Sequence, residues 1–315
     1  MSSKHLVHPE LLPGLELIPT RDIGARQMEM IRQMGLARPP SPEVADVDCT
    51  ERLIAGPPDA PQVRVLIYRP KAAPATAPTI LHIHGGGYIL GDPEGSDGAN
   101  RLLASDLACV IVSVAYRLAP ETPFPGPVED CYAALKWLHA SAGELGVDAA
   151  RIAIKGESAG GGLAAGLAIL ARDRGEVPIV LQVLTYPMID DRPASDPHPF
   201  TGEFIWTANS NRFGWESLLG HPPGQDGVSP YAAAARLEDF AGLAPAFIAT
   251  GALDLFLDEN LDYARRLTRG GVPTELHVYP GAYHGFELAG ATAVSRRYSQ
   301  DYRLALGVAF GLTAD

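Results

Sequence analysis

The sequence predicts an α/β fold: a mainly parallel sheet covered by helices on both faces. Three observations carry this. Short apolar runs of strand length recur along the chain, helical stretches lie between most of them, and glycine-rich turns follow two of the runs. The 315 residues, 46% hydrophobic and 20% charged, are enough for one large domain with an embellishment.

Residues 1 to about 50 read as helix-leaning and strand-poor. Within 21–36, Ile23, Met28, Met30, Ile31 and Met34 fall at roughly helical spacing, and Pro39-Pro40 ends that helix. From Val63 the pattern changes. Strands are predicted over 63–68, 79–83, 110–114, 151–155, 180–184, 246–249 and 276–279. Helices are predicted over 100–107, 128–138, 159–171, 260–268 and 293–310. Between Pro187 and about Ala235 there is no strand signal. That stretch holds Phe200, Phe204, Trp206, Phe213 and Trp215 with Pro193, Pro197, Pro199, Pro222 and Pro223, and reads as an insertion of short helices over one end of the sheet.

Composition excludes several classes. A formal net charge of −12 argues against nucleic acid as a partner, because phosphate binding needs clustered Lys and Arg. No apolar run is long enough for a membrane span, and the first ten residues lack the apolar core of a signal peptide. A cytoplasmic location is therefore expected. Cys49, Cys109 and Cys131 are too few and scattered for a disulfide framework or a zinc site, and are expected to be free thiols. No metal and no cofactor is expected.

Two motifs carry chemistry. Gly156-Glu157-Ser158-Ala159-Gly160 follows a strand and opens an Ala/Leu-rich helix, the context a G-x-S-x-G turn requires. Small residues two positions either side let the turn close tightly, and the hydroxyl stands at a helix N-terminus that favours negative charge. His84-Gly85-Gly86-Gly87-Tyr88 ends another strand, and its glycines let backbone N–H groups converge on one point, as an oxyanion hole needs. No Gly-Lys-Ser/Thr follows, so a phosphate-binding loop is disfavoured. A nucleophilic serine needs a base, and the base an orienting carboxylate. Asp254 and His284 each follow a strand, where a parallel sheet presents ligands at its carboxyl ends. The order Ser158, Asp254, His284 is that of α/β-hydrolases. Asp258 competes with Asp254, as a residue the next helix can use for capping. His82 and His84 alternate on one strand end but have no third ligand at a telling spacing, so His84 is expected to brace its loop. Gly160-Gly161-Gly162-Leu163-Ala164-Ala165 with Asp190 imitates a dinucleotide fingerprint; its first glycine falls inside the predicted helix, and close helix–sheet packing explains these small residues better.

The chain resembles the hormone-sensitive-lipase-like (bacterial family IV) carboxylesterases. The resemblance rests on His84-Gly85-Gly86-Gly87, Tyr116-Arg117-Leu118-Ala119-Pro120-Glu121 with Phe124-Pro125, Gly156–Gly161, Asp254 with Asp258-Glu259, and His284-Gly285-Phe286. It implies an α/β-hydrolase fold with a helical cap, and Ser158 as nucleophile, His284 as base then acid, and Asp254 as orienting carboxylate. The N–H groups of Gly86, Gly87 and Ala159 would form the oxyanion hole. Residues 1–50 would be the N-terminal part of the cap, 51–187 the first part of the catalytic core, 188–235 the cap insertion and 236–315 the second part of the core. A homodimer through the last strand, 276–279, is also implied. Two positions depart from the family pattern: Glu157, where most members carry Asp or Thr, and Leu255-Phe256 after Asp254.

The expected reaction is hydrolysis of short- to medium-chain carboxylic esters, small-molecule substrates, through an acyl-enzyme. Activity is expected to rise with pH as the base imidazole loses its proton. An amidase or acyltransferase would use the same triad, and a non-catalytic ligand-binding member of the fold would be expected to lack one of its residues. Tyr88, Phe204, Trp206 and Phe213 are candidate substrate-binding residues; the last three either line a pocket or anchor the cap to the body.

Overall fold

The computed structural model describes residues 2–18, 20, 22–38, 44, 46–192 and 198–312. The predicted Pro39-Pro40 helix stop, and Pro193 and Pro197 of the insertion, lie outside the described residues.

Among the described residues eight strands form one sheet: β1 (Val47–Ile54), β2 (Val63–Pro70), β3 (Ala77–Ile83), β4 (Val110–Ala115), β5 (Val147–Glu157), β6 (Leu181–Thr185), β7 (Ala246–Gly251) and β8 (Thr274–Tyr279). Their order is β1-β2-β4-β3-β5-β6-β7-β8. β2 pairs antiparallel with β1 and β4, and every other pairing is parallel. Nine α-helices are described: α1 (Leu12–Leu17), α2 (Ala25–Leu36), α3 (Asp97–Leu107), α4 (Gly126–Ala140), α5 (Ala142–Leu145), α6 (Ala159–Arg174), α7 (Ala208–Leu219), α8 (Leu257–Arg269) and α9 (Ala293–Ala309).

Central strands are buried on both sides, which is why they read as unbroken apolar runs. β3 is buried at every position. Its Leu81 and Ile83 face one core, packed by Leu135 of α4, Leu163 of α6 and Leu267 of α8. Its Ile80 faces the other, packed by Leu103 of α3 and by Tyr302 and Leu306 of α9. Each such Leu or Ile removed from water contributes roughly 1.5–3 kcal/mol. The seven predicted strands all form. β1 is the correction, since the reading of residues 1–50 as strand-poor missed its start. It is an edge strand, and only its end residues Val47 and Ile54 are buried, so it shows no core pattern.

No strand occurs among the described residues of 188–235, where α7 is the principal helix. The N-terminal segment is stapled to this insertion. Ser3 N–H donates to Glu203 Oε2 (2.5 Å), Ile23 N–H to Ser210 Oγ (2.9 Å), and Thr207 Oγ1 and Asn209 Nδ2 to Asp22 (2.6 and 2.8 Å). Arg32 of α2 reaches the sheet side, donating to the carbonyls of Ile89 (2.8 Å) and Ala119 (2.7 Å) while pairing with Glu121. These bonds hold α2 above the carboxyl ends of β3 and β5. No helix among the described residues is long and apolar enough to cross a membrane.

Candidate active site

β5 runs into α6 through Ser158, whose φ of 55° and ψ of −120° lie where L-residues are rarely found. The flanking glycines make this turn feasible. A Cβ on Gly156 would stand 2.1 Å from Gly160 O, and one on Gly160 2.1 Å from Ile83 O. A Cβ on Gly161 would stand 2.9 Å from Pro187 Cβ and one on Gly162 2.1 Å from Met188 O, so these fingerprint-like glycines serve close packing of α6 on the segment that follows β6.

The structure brings Ser158, His284 and Asp254 together. His284 Nε2 is 2.9 Å from Ser158 Oγ, and His284 Nδ1 is 2.9 Å from Asp254 Oδ2. Asp254 is fully buried, and its other oxygen accepts the Phe256 N–H at 2.9 Å. Both carboxylate oxygens are thus committed, which places the Nδ1 proton between ring and carboxylate. Edges and faces of Tyr186 (4.6 Å between centroids) and Phe256 (5.2 Å) fix the His284 ring. Asp258 is exposed on α8 and has no part in this chain. Its neighbour Glu259 is half-buried and accepts the Ile189 N–H at 2.8 Å; desolvation pushes its carboxyl well above the usual range.

The glycine loop closes over the serine. A Cβ on Gly85 would stand 2.9 Å from Glu157 O and 3.4 Å from Ser158 Cβ. Gly86 and Gly87 have φ of +126° and +61°, and a Cβ on Gly87 would strike Trp206 Cη2 at 2.1 Å. Among the described residues no backbone carbonyl takes the N–H of Gly86, Gly87 or Ala159. His84 braces this loop as expected: its Nδ1–H donates to Gly85 O (2.9 Å) and its ring stacks on Tyr116 at 4.3 Å. Burial pushes the His84 imidazole down to about 4, so it is neutral at pH 7.

Ser158 and His284 open into a cavity of about 740 Å³. One part of its wall is apolar, from Leu17, Met30, Ile31, Met34, Trp206 and Leu288. Trp206 is therefore a wall residue. Tyr88, Phe204 and Phe213 are not on the wall. Tyr88 is fully buried, donates to Met188 O at 2.6 Å and packs on Trp215. Phe204 packs on Tyr283, and Phe213 on the core beside α6. An insertion folded back on the body buries most of its aromatics as anchors.

The other part of the wall is polar, and sequence reasoning missed most of it. Lys155 and Glu157 lie two residues apart on β5 and so share a face. Lys155 Nζ donates to Glu157 Oε1, and His82 Nε2 donates to Glu157 Oε2 at 3.0 Å. Asn100 Nδ2 (3.2 Å) faces the His82 Nδ1, which thereby acts as acceptor. Burial acts to raise the Glu157 carboxyl, but the Lys155 charge and the His82 contact outweigh it and hold it below the usual carboxylate range. The available signal was a lysine closing an apolar strand just before an unusual glutamate. Among the described residues no group of three or more His, Cys, Asp or Glu is placed to hold a metal.

A parallel sheet carrying a strained serine at a strand–helix turn, with histidine and aspartate from later loops, defines an α/β-hydrolase with a serine-hydrolase arrangement. Comparison with known proteins agrees. The model of the alpha/beta hydrolase fold family matches residues 80–288. Esterase LipI of Mycobacterium tuberculosis is 35% identical over 291 residues, covering 90% of this chain and 88% of that protein. Carboxylesterase NlhH of the same species is 32% identical over 302 residues, covering 91% and 92%. Among solved structures, a bacterial heroin esterase superposes with a TM-score of 0.91 at 37% identity, covering 98% of this chain and 99% of the other. The chain belongs to the α/β-hydrolase fold family, in its hormone-sensitive-lipase-like branch.

Proposed function

We propose that the protein is a serine esterase that hydrolyses short- to medium-chain carboxylic esters through an acyl-enzyme. The observation that carries this reading is the unbroken Ser158–His284–Asp254 hydrogen-bond chain, 2.9 Å at each link. The names of the relatives, esterase and carboxylesterase, support the same chemistry.

Ser158 Oγ attacks the ester carbonyl carbon while His284 Nε2 takes its proton. The carbonyl oxygen becomes an oxyanion that accepts from Gly86, Gly87 and Ala159; one such donor is worth about 2.7–4 kcal/mol where a comparable one has been removed. Asp254 holds the ring and stabilises the imidazolium. His284 then returns the proton to the departing alkoxide, freeing the alcohol. Water repeats the sequence on the acyl-enzyme and releases the acid.

Residues 1–50 and 188–235 act as a cap, a division supported by the hydrogen bonds between Ser3, Ile23 or Asp22 and the insertion. The free edge of β8, with Leu276 and Val278 exposed, supports a homodimer through that strand. Covalent labelling tests the esterase reading: an organophosphate ester must attach to Ser158 and stop ester hydrolysis together. Attachment elsewhere, or turnover that survives full labelling, refutes it.

A further inference from the structure

The cavity continues past Ser158 into the layer between the sheet and helices α3 and α9, where the wall changes from apolar to polar. Lys155, Glu157 and His82 floor this chamber, and Tyr302 and Glu287 flank it. Two of these groups have hydrogen-bonding capacity that the protein leaves unmet. The buried Lys155 ammonium has three N–H donors; among the described residues Glu157 takes one, and the ammonium lies over the face of Tyr302, 5.3 Å from the ring centroid. Glu287 accepts from the Tyr186 hydroxyl through Oε1, but its Oε2, shielded from solvent, has no partner among the described residues. Burial pushes the Glu287 carboxyl up, which favours its neutral form.

We propose that this chamber is a specificity subsite for an uncharged, hydrogen-bonding arm of the ester, a hydroxyl, ether or amide, while the apolar wall takes an alkyl arm. The inference rests on the esterase reading above. Its physical ground is charge balance. Lys155 and Glu157 cancel each other, so an entering carboxylate meets Glu157 and an entering ammonium meets Lys155, and neither recovers its hydration. An alkyl arm covers Lys155 and Glu287 and leaves their polar atoms dry. An oxygen in the arm accepts from Lys155 and, with the Glu287 carboxyl protonated at its free Oε2, from Glu287 as well.

The test uses two isosteric pairs in which one CH₂ becomes O: p-nitrophenyl pentanoate against p-nitrophenyl 3-methoxypropanoate, and butyl butanoate against 2-methoxyethyl butanoate. Each kcat/KM ratio is divided by the ratio of hydroxide-catalysed rates, which removes intrinsic reactivity. In the wild-type protein the ether is preferred by about tenfold in one pair, the order a charge-assisted hydrogen bond supplies. The double variant Lys155→Met with Glu157→Gln brings that ratio to within about twofold of unity, and Glu287→Leu lowers it. No preference in either pair, or a preference that both variants keep, overturns the subsite. The wild-type comparison needs no variant, so misfolding of either one leaves the proposal exposed. Absence of hydrolysis of all four esters counts against the esterase reading instead, and turnover without preference counts against the subsite alone.

Discussion

Replacing Asp254 by asparagine keeps the volume and tests the orienting carboxylate through hydrogen-bond direction alone. In the native site Oδ1 accepts the Phe256 N–H and Oδ2 faces His284 Nδ1, each at 2.9 Å. An asparagine has only one acceptor. If its oxygen faces Phe256, its NH₂ faces Nδ1, and the ring must carry its proton on Nε2, aimed at Ser158 Oγ. Such a tautomer has no lone pair for the serine proton. If the amide turns over, NH₂ confronts the Phe256 N–H in a fully buried position, which costs about 1–3 kcal/mol. The competent tautomer is then held by roughly a sixth to a hundred-and-sixtieth of molecules. Losing the negative charge beside the imidazolium removes more, and the combined fall in kcat is roughly 10³–10⁴-fold. Initial rates on p-nitrophenyl butanoate at pH 7.5, with thermal unfolding as a control for the fold, measure it. A folded Asp254→Asn protein within tenfold of wild-type kcat would refute the reasoning.

Two further outcomes follow from the structure. His84 is buried and neutral, with burial holding its imidazole down to about 4 against an ordinary 6.5, so the unfolded chain binds a proton that the folded one refuses. Its contribution is intact above pH 6.5 and declines as pH falls towards 4, by up to roughly 3 kcal/mol; urea midpoints at pH 5.0 and 7.5 should differ less in His84→Phe than in the wild type, and an equal or larger difference contradicts this. The apolar wall of Leu17, Met30, Met34 and Leu288 admits an alkyl arm of limited length, so p-nitrophenyl esters from C2 to C16 should give a kcat/KM maximum at C8 or shorter, and a maximum at C10 or beyond overturns the short- to medium-chain assignment.

The legible parts of this molecule are those where one physical requirement dominates. β3, buried on both faces, has to be apolar throughout, and it announces itself. The Gly156–Gly160 turn and the Gly85–Gly87 loop exclude side chains by direct collision with backbone or ring atoms, so their glycines can be read without coordinates. Ser158, Asp254 and His284 were readable because each follows a strand end. β1 was not, since its middle is exposed and its pairing with β2 is decided by backbone hydrogen bonds, which leave no sequence pattern. Tyr88, Phe204 and Phe213 were not, because whether an aromatic side chain lines a cavity or anchors a cap depends on how the insertion folds back. Glu157 stood out as a departure, but its meaning needed Lys155 on its own strand and His82 on the neighbouring β3.

Acyl-enzyme chemistry at this site requires Ser158 Oγ to be the atom that takes the acyl group. The most direct measurement is intact-protein mass spectrometry after treatment with diethyl p-nitrophenyl phosphate, followed by peptide mapping. One diethylphosphoryl group per chain is expected on Ser158, with labelling and loss of ester hydrolysis advancing in parallel, while Ser158→Ala takes up no label and hydrolyses no ester. An unlabelled Ser158 in a protein that still cleaves esters would contradict it.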